Sequence, residues 1–140
     1  MAKKKESIPC HACDGTMERG THSMTFSYKN TSTEVLQPGW YCHTCDESLH
    51  NEVDVASTEQ AISDFRAEVD RVLKARDVAR IRKRLKLSQR KAGVLLGGGA
   101  RAFHKYEKSL VSVSQSMSNL LRLLDKDPKR LRELEGVSAR

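Results

Sequence analysis

The sequence predicts an α+β fold, in which a small β-hairpin module of residues 1–56 precedes an all-helical helix-turn-helix domain of residues 76–140. Three observations support this prediction. The first part alternates apolar and polar residues as strands do, and the second part shows helical spacing. Two near-identical Cys-x-x-Cys motifs lie at the ends of the strand-like segment. Three consecutive glycines separate two short helical segments in a basic region.

The first module has the pattern of a hairpin. Met24, Phe26 and Tyr28 alternate with polar residues, as they would on one face of a strand. Residues 30–33 predict a turn. The module contains too few large apolar residues to form a stable core by itself, so something else must hold it together.

The cysteines supply this constraint. Cys10-His-Ala-Cys13 and Cys42-His-Thr-Cys45 flank the hairpin, which would bring the two motifs together. The sequence shows no membrane span and no signal peptide, so we expect a cytoplasmic protein, in which reduced thiols bind metals. Four thiolates from two such motifs form the closed tetrahedral site of a structural zinc. The sequence therefore predicts one structural Zn²⁺ per chain, bound by Cys10, Cys13, Cys42 and Cys45.

Other roles for these motifs fit the sequence less well. A redox Cys-x-x-Cys is expected next to a βαβ pattern, which the sequence lacks. Residues 9–13 match the P-C-x-x-C part of a nucleobase deaminase, but the H-x-E part follows them instead of preceding them. His11 and His43 lie inside the motifs and are expected to face solvent, and His22 and His50 are expected at the surface.

Helical spacing begins near Ser57. Ser57 and Gln60 fit a capping box, and the apolar residues that follow predict a linker helix over residues 57–75. The spacing then predicts shorter helices over about 78–85, from Ser88 as N-cap to 96, over 102–110, over 114–125, and from Asp127-Pro128 onward.

Gly97, Gly98 and Gly99 separate the second and third of these shorter helices. A P-loop needs Lys-Ser/Thr directly after its last glycine, whereas Ala100-Arg101 follows here. A dinucleotide fingerprint needs a preceding strand, whereas residues 92–96 have helical character. Glycine adopts positive φ angles without penalty, so the triplet favours a sharp corner between two helices, as in an XRE/Cro-like helix-turn-helix.

The charge of the chain changes sign between its two parts. Residues 1–56 carry five Lys/Arg and eight Asp/Glu, a net charge of −3. Residues 57–140 carry twenty and ten, a net charge of +10. Between residues 76 and 108 there are eleven Lys/Arg and two acidic residues. This domain is suited to bind double-stranded DNA, because cations that neutralise phosphates release counterions.

In a helix-turn-helix, the helix after the turn enters the major groove. Arg101 and Lys105 are four residues apart and share one face of that helix, so we expect both to contact base edges, guanine in particular. The start of the preceding helix is suited to hold a backbone phosphate. The predicted phosphate contacts are Ser88, Gln89, Arg90, Lys91 and His104, the last with a base contact as its alternative.

Helix-turn-helix proteins mostly bind paired half-sites as dimers. The leucine-rich segment Met117–Leu134 offers more apolar surface than a short helix pair needs, which predicts a homodimer interface, with the core of a monomer as the alternative. The sequence shows no set of catalytic base, nucleophile and open metal position, so we do not expect an enzyme.

Together these features resemble the MqsA-type antitoxins (YgiT-type zinc-finger proteins) of bacterial toxin–antitoxin systems. The resemblance covers roughly residues 10–135, and the order of its motifs is more specific than any one of them. The matching stretches are YCHTCDES (41–48), FRAEV (65–69), RKRLKLSQRKA (82–92) and GGGARAFHKYEK (97–108).

The resemblance implies a structural zinc module that binds a cognate toxin, an RNA-cleaving endoribonuclease with a RelE-like fold. It also implies a helix-turn-helix domain that dimerises and represses its own operon at a palindromic operator. The family's base-reading positions fall on Arg101 and Lys105, and a phosphate-contacting linker arginine falls on Arg66. A stand-alone transcriptional regulator without a toxin partner is the alternative.

The chain departs from the family pattern at several positions. Arg101 replaces the usual Asn, which suits adenine, and Lys105 replaces the usual Arg, so the family's operator sequence does not transfer to this chain. His11 replaces the usual proline after the first cysteine, and Ser109 replaces a helix-ending glycine. The hairpin of residues 16–39 also diverges, which leaves the identity of the toxin open.

Overall fold

The computed structural model describes residues 6–138. They form two compact units, divided between Ile62 and Ser63. The first unit contains a four-stranded antiparallel sheet and the second consists of helices, which confirms the predicted α+β fold. The outer limits of the predicted modules, residues 1 and 140, lie outside the described residues. No described helix combines the length and apolar character needed to cross a membrane.

The sheet pairs its strands in chain order, β1 (Ser7–Pro9), β2 (Thr16–Tyr28), β3 (Thr31–Cys42) and β4 (Ser48–Leu49). β2 and β3 form the predicted hairpin, with Tyr28 opposite Thr31. Its turn consists of Lys29 and Asn30, whose φ angles of 47° and 61° are typical of a two-residue hairpin turn. The predicted turn over residues 30–33 is wrong in its extent, because its last three residues belong to β3 and pair with β2.

A glycine of β3, Gly39, makes room for a cluster of rings. Gly20 lies opposite Gly39, and a Cβ atom on Gly39 would lie 2.4 Å from Nδ1 of His50. Tyr41 stacks on His22, with ring centroids 3.6 Å apart, and meets His50 edge to face. His50 is therefore half-buried, and its Nδ1–H donates to a carbonyl of β3 over 2.8 Å, unlike the surface residue that we expected.

Helix α1 (Glu52–Asp70) begins before the predicted start at Ser57 and ends before residue 75. The N–H of Asp54 donates to Oδ1 of Asn51 over 2.9 Å, and the N–H of Asn51 donates to Oδ2 of Asp54 over 3.0 Å. These reciprocal bonds cap the helix, whereas the hydroxyl of Ser57 donates to the carbonyl of Asp54. Arg19 binds Asp54 through two hydrogen bonds of 2.8 Å and lowers the pKa of that buried carboxyl to about 2.

The described part of the second unit continues with α2 (Ala75–Arg84), α3 (Gln89–Leu96), α4 (Ala102–Glu107), α5 (Gln115–Lys126), the 3-10 turn Pro128–Arg130 and α6 (Leu131–Ser138). Ser88 caps α3 as predicted, because its Oγ accepts the N–H of Lys91 over 3.1 Å. Asp127 makes no side-chain capping bond, and the proline after it opens the 3-10 turn rather than an α-helix. The core comprises Val78, Ile81, Leu85, Leu87, Ala92, Ala102, Phe103, Val113, Met117, Leu121, Leu124 and Leu131.

Much of the segment predicted as a dimer interface lies inside this core. Met117, Leu121 and Leu124 are buried within a single chain, because α5 packs against α2. For these residues the expectation of an interface is wrong, and the monomer-core alternative is correct. A smaller apolar groove remains at the surface, lined by Leu120, Leu123 and Leu134.

Candidate metal centre and nucleic-acid interface

The four cysteines form a compact cluster at the base of the hairpin. Their sulfur atoms all lie within 4.8 Å of one another. Sγ of Cys10 lies 3.7 Å from Sγ of Cys45, and Sγ of Cys13 lies 3.6 Å from Sγ of Cys42. A tetrahedral Zn²⁺ with Zn–S bonds of about 2.3 Å requires S···S separations of about 3.8 Å. The cluster therefore has the size and the donor set to hold one such metal ion.

The hairpin and two tight turns position the sulfurs. Met17 pairs with Cys42 across β2 and β3, which brings the end of the hairpin to the first motif. Within the turns, the N–H of Gly15 donates to Sγ of Cys13 over 3.2 Å, and the N–H of Thr44 donates to Sγ of Cys42 over 3.3 Å. A Cβ atom on Gly15 would lie 2.5 Å from Oγ1 of Thr44, so the close approach of the turns requires glycine.

The cluster needs a cation to hold four thiolates. Backbone N–H groups of Cys45 and Thr44 lower the pKa of Cys42 to about 6. The N–H of Glu47 favours the thiolate of Cys45, but burial and the neighbouring sulfurs outweigh it and raise the pKa of Cys45 to about 12. Without a cation, therefore, the thiols of Cys42 and Cys45 would differ in charge near neutral pH. A bound metal ion would remove this difference in charge, because it stabilises every thiolate that it coordinates.

The two histidines inside the motifs stand apart from the sulfurs, as predicted. Nε2 of His11 lies 3.5 Å from a carboxylate oxygen of Glu47, and Nε2 of His43 lies 3.2 Å from one of Glu18. Both histidine side chains are more than half exposed. Among the described residues, the group of potential ligands contains only the four cysteines, which is the set that the sequence predicted.

The triple glycine forms the sharp corner that the sequence predicted. Gly97, Gly98 and Gly99 have φ angles of 115°, 91° and 92°, which side chains with a Cβ atom rarely adopt. The N–H groups of Gly97 and Gly99 both donate to the carbonyl of Gly93. A Cβ atom on Gly93 would lie 1.8 Å from the carbonyl oxygen of Gly99, so α3 needs a glycine here. The sequence reasoning missed Gly93, although an isolated glycine in a helical pattern signals close packing.

The corner leaves the predicted base-reading residues exposed. Ala102 and Phe103 of α4 are buried in the core, whereas Arg101, His104 and Lys105 are exposed on the outer side of the helix. Of the predicted phosphate contacts, Gln89 is half-buried and the others are exposed: Ser88, Arg90, Lys91, His104 and, on α1, Arg66.

The eleven basic residues between positions 76 and 108 divide into two groups. Those of the first group pair with carboxylates: Arg76 with Asp64, Arg80 and Arg84 with Asp125, and Arg82 with Glu107. Those of the second group are exposed and have no ion pair or hydrogen bond from their cationic groups within the described part of the chain: Lys83, Lys86, Arg90, Lys91, Arg101, Lys105 and Lys108. We call these seven residues the unpaired basic group. Sequence reasoning did not single out Lys83, Lys86 and Lys108, because a charge count cannot tell paired from unpaired cations.

Comparisons with known proteins place this arrangement in a family. The family described as "Antitoxin component of bacterial toxin-antitoxin system, MqsA" matches residues 8–135. The chain is also 34% identical over 131 residues to Antitoxin MqsA of Escherichia coli (strain K12), and the alignment covers 91% of this chain and 99% of that protein. This is a family of antitoxins and not of enzymes. The chain therefore belongs to the MqsA antitoxin family of bacterial toxin–antitoxin systems.

Proposed function

We propose that this chain neutralises a cognate RNA-cleaving toxin through its zinc module and represses its own operon by binding a palindromic operator as a homodimer in the cytoplasm. The observation that carries the DNA-binding half is the unpaired basic group, which lies between residues 83 and 108. These seven exposed cations, which have no partner within residues 6–138, create a positive field that duplex DNA would neutralise.

The base-reading role of α4 rests on the exposure of Arg101 and Lys105 next to the corner. Both side chains can donate to O6 and N7 of guanine in the major groove. Ser88, Gln89, Arg90 and Lys91 at the start of α3 would hold a phosphate, and His104 and Arg66 would add further contacts. The groove of Leu120, Leu123 and Leu134 is an apolar surface that would serve a dimer contact.

The toxin-binding half rests on the family and on the charge of the first module. Residues 1–56 carry a net charge of −3, and four thiolates with Zn²⁺ would add about −2. A ribonuclease that binds the RNA backbone needs a basic surface, which such an acidic module would cover. We assign the metal as zinc because four thiolates in a closed tetrahedral site suit it best.

The DNA-binding half is tested with Arg101→Ala on a duplex from the promoter of the chain's own gene. A base contact of this type contributes about 1–3 kcal/mol of discrimination, so specific binding should weaken far more than binding to a scrambled duplex. Equal losses on the two duplexes would contradict base reading by Arg101.

The toxin-binding half is tested by expression of the small neighbouring gene with and without this chain. The neighbour alone should arrest growth, and co-expression should restore growth and yield a complex that copurifies. The double variant Cys10→Ser, Cys42→Ser should lose this rescue, because the first module cannot fold without its metal. A neighbour that is harmless alone would contradict the antitoxin role.

A further inference from the structure

The corner between α2 and α3 places a lysine in a backbone conformation that lysine disfavours. Lys86 has a φ angle of 58°, in the left-handed region. The N–H of Lys86 donates to the carbonyl of Lys83, and the N–H of Leu87 donates to the carbonyl of Arg82. These bonds end α2 with a left-handed residue, a position at which glycine is the usual choice because a Cβ atom is strained there.

The surrounding structure fixes this conformation and leaves the side chain in solvent. Leu85 and Leu87, on either side of Lys86, are buried in the core. Nη1 of Arg82 donates to the carbonyl of Leu87 over 2.9 Å, and Arg82 is itself held by Glu107. Lys86 is exposed, and within the described residues its ammonium group has no ion pair and no hydrogen bond. The ammonium group of Lys86 therefore gives the described part of the fold no ion pair and no hydrogen bond in return for the strain.

We propose that Lys86 is a further phosphate-contacting residue of the DNA interface, so that its charge is retained at the expense of backbone strain. This proposal rests on the proposed DNA binding and adds one residue to it. Lys86 lies two positions before Ser88, the N-cap of α3, and belongs to the same unpaired basic group as Arg90 and Lys91. Backbone strain of this kind is concentrated at functional sites, and here it accompanies a charge that the described fold does not pair.

The test measures DNA affinity over a series of NaCl concentrations by fluorescence anisotropy, with a labelled promoter duplex and a scrambled duplex. Lys86→Asn removes the charge but tolerates the left-handed conformation. It should reduce the slope of log K against log [salt] by about 0.9 for each bound chain and the affinity by about fivefold at 0.15 M salt. The loss should be similar on both duplexes, because a phosphate contact carries no sequence information.

Two further variants separate charge from structure. Lys86→Arg should keep the wild-type slope. Lys86→Gly should reduce the slope as Lys86→Asn does, while its melting temperature rises by a few degrees. The matched control is Lys129→Gln, which removes an exposed cation from the 3-10 turn outside the unpaired basic group and should keep the slope. If the wild type binds DNA and Lys86→Asn keeps its slope, the proposal for Lys86 alone is overturned. If the wild type binds neither duplex, the proposed DNA binding fails as well.

Discussion

The ion pair between Arg82 and Glu107 joins α2 to the last residue of α4, and its removal is a quantitative test of how α4 is held. Nε and Nη2 of Arg82 donate to the two carboxylate oxygens of Glu107 over 2.9 and 2.8 Å. The side chains are only 12% and 10% exposed. Glu107→Ala would therefore leave a nearly buried guanidinium without its counter-charge.

The size of the effect follows from this burial. The loss of one partner from a buried pair costs about 3–5 kcal/mol, because the remaining charge stays desolvated. For a domain of this size, about 1 kcal/mol lowers the melting temperature by roughly 4–8 °C, so we expect a fall of at least about 12 °C. Glu107→Gln keeps a neutral acceptor for Arg82 and should lose less.

The assay is thermal unfolding of the metal-bound chain followed by far-ultraviolet circular dichroism. The matched control is Glu133→Ala, which removes the partner of Arg130 from a pair of which both side chains are more than half exposed. Exposed pairs contribute little, so this variant should melt close to wild type. A melting temperature for Glu107→Ala no lower than that of Glu133→Ala would refute the reasoning.

Three further outcomes are expected. Metal analysis should find about one zinc per chain, and a strong chelator or Cys42→Ser should unfold the first unit while the helical signal of the second persists. The pKa of Asp54 is lowered from 3.8 to about 2, so its carboxylate stabilises the fold above pH 3.8 and this contribution is lost as the pH falls towards 2. The difference in melting temperature between the wild type and Asp54→Asn should therefore decrease between pH 3.8 and pH 2. A difference that stays constant over this range would contradict the prediction. Ser118 is fully buried, and its hydroxyl oxygen accepts the N–H of Leu73 over 3.0 Å. Ser118→Ala should therefore lower the free energy of unfolding in urea by about 1–3 kcal/mol. Ser116 is exposed, so the control Ser116→Ala should leave this free energy almost unchanged.

The features that the sequence predicted well depend on residues close together in the chain. The spacing within each Cys-x-x-Cys motif sets the geometry of a turn, and a hairpin between two such motifs can only bring them together. The triple glycine and the Ser88 cap are likewise local signals, since each is defined by the φ angles or N–H groups of its own segment. These elements lie where the sequence placed them.

The start of α1 shows why the remaining features were missed. Ser57 and Gln60 match a capping box as well as Asn51 and Asp54 do, so local pattern alone cannot choose between them. Arg19, far away in the sequence, binds Asp54 and decides the choice. The pairing of the basic residues has the same origin, because it depends on which carboxylates the fold brings within reach.

This pairing pattern also decides how the two kinds of cation respond to salt. The unpaired basic group is exposed, so its repulsion and its attraction for phosphates act through water and are screened over about 3 Å at 1 M salt. The pair of Arg82 and Glu107 is nearly buried, and buried pairs are screened much less. The destabilisation by Glu107→Ala should therefore persist at 1 M NaCl, whereas the proposed affinity of the wild type for DNA should fall by orders of magnitude. If high salt restored the melting temperature of Glu107→Ala, its loss of stability would come from repulsion at the surface and not from a stranded buried charge.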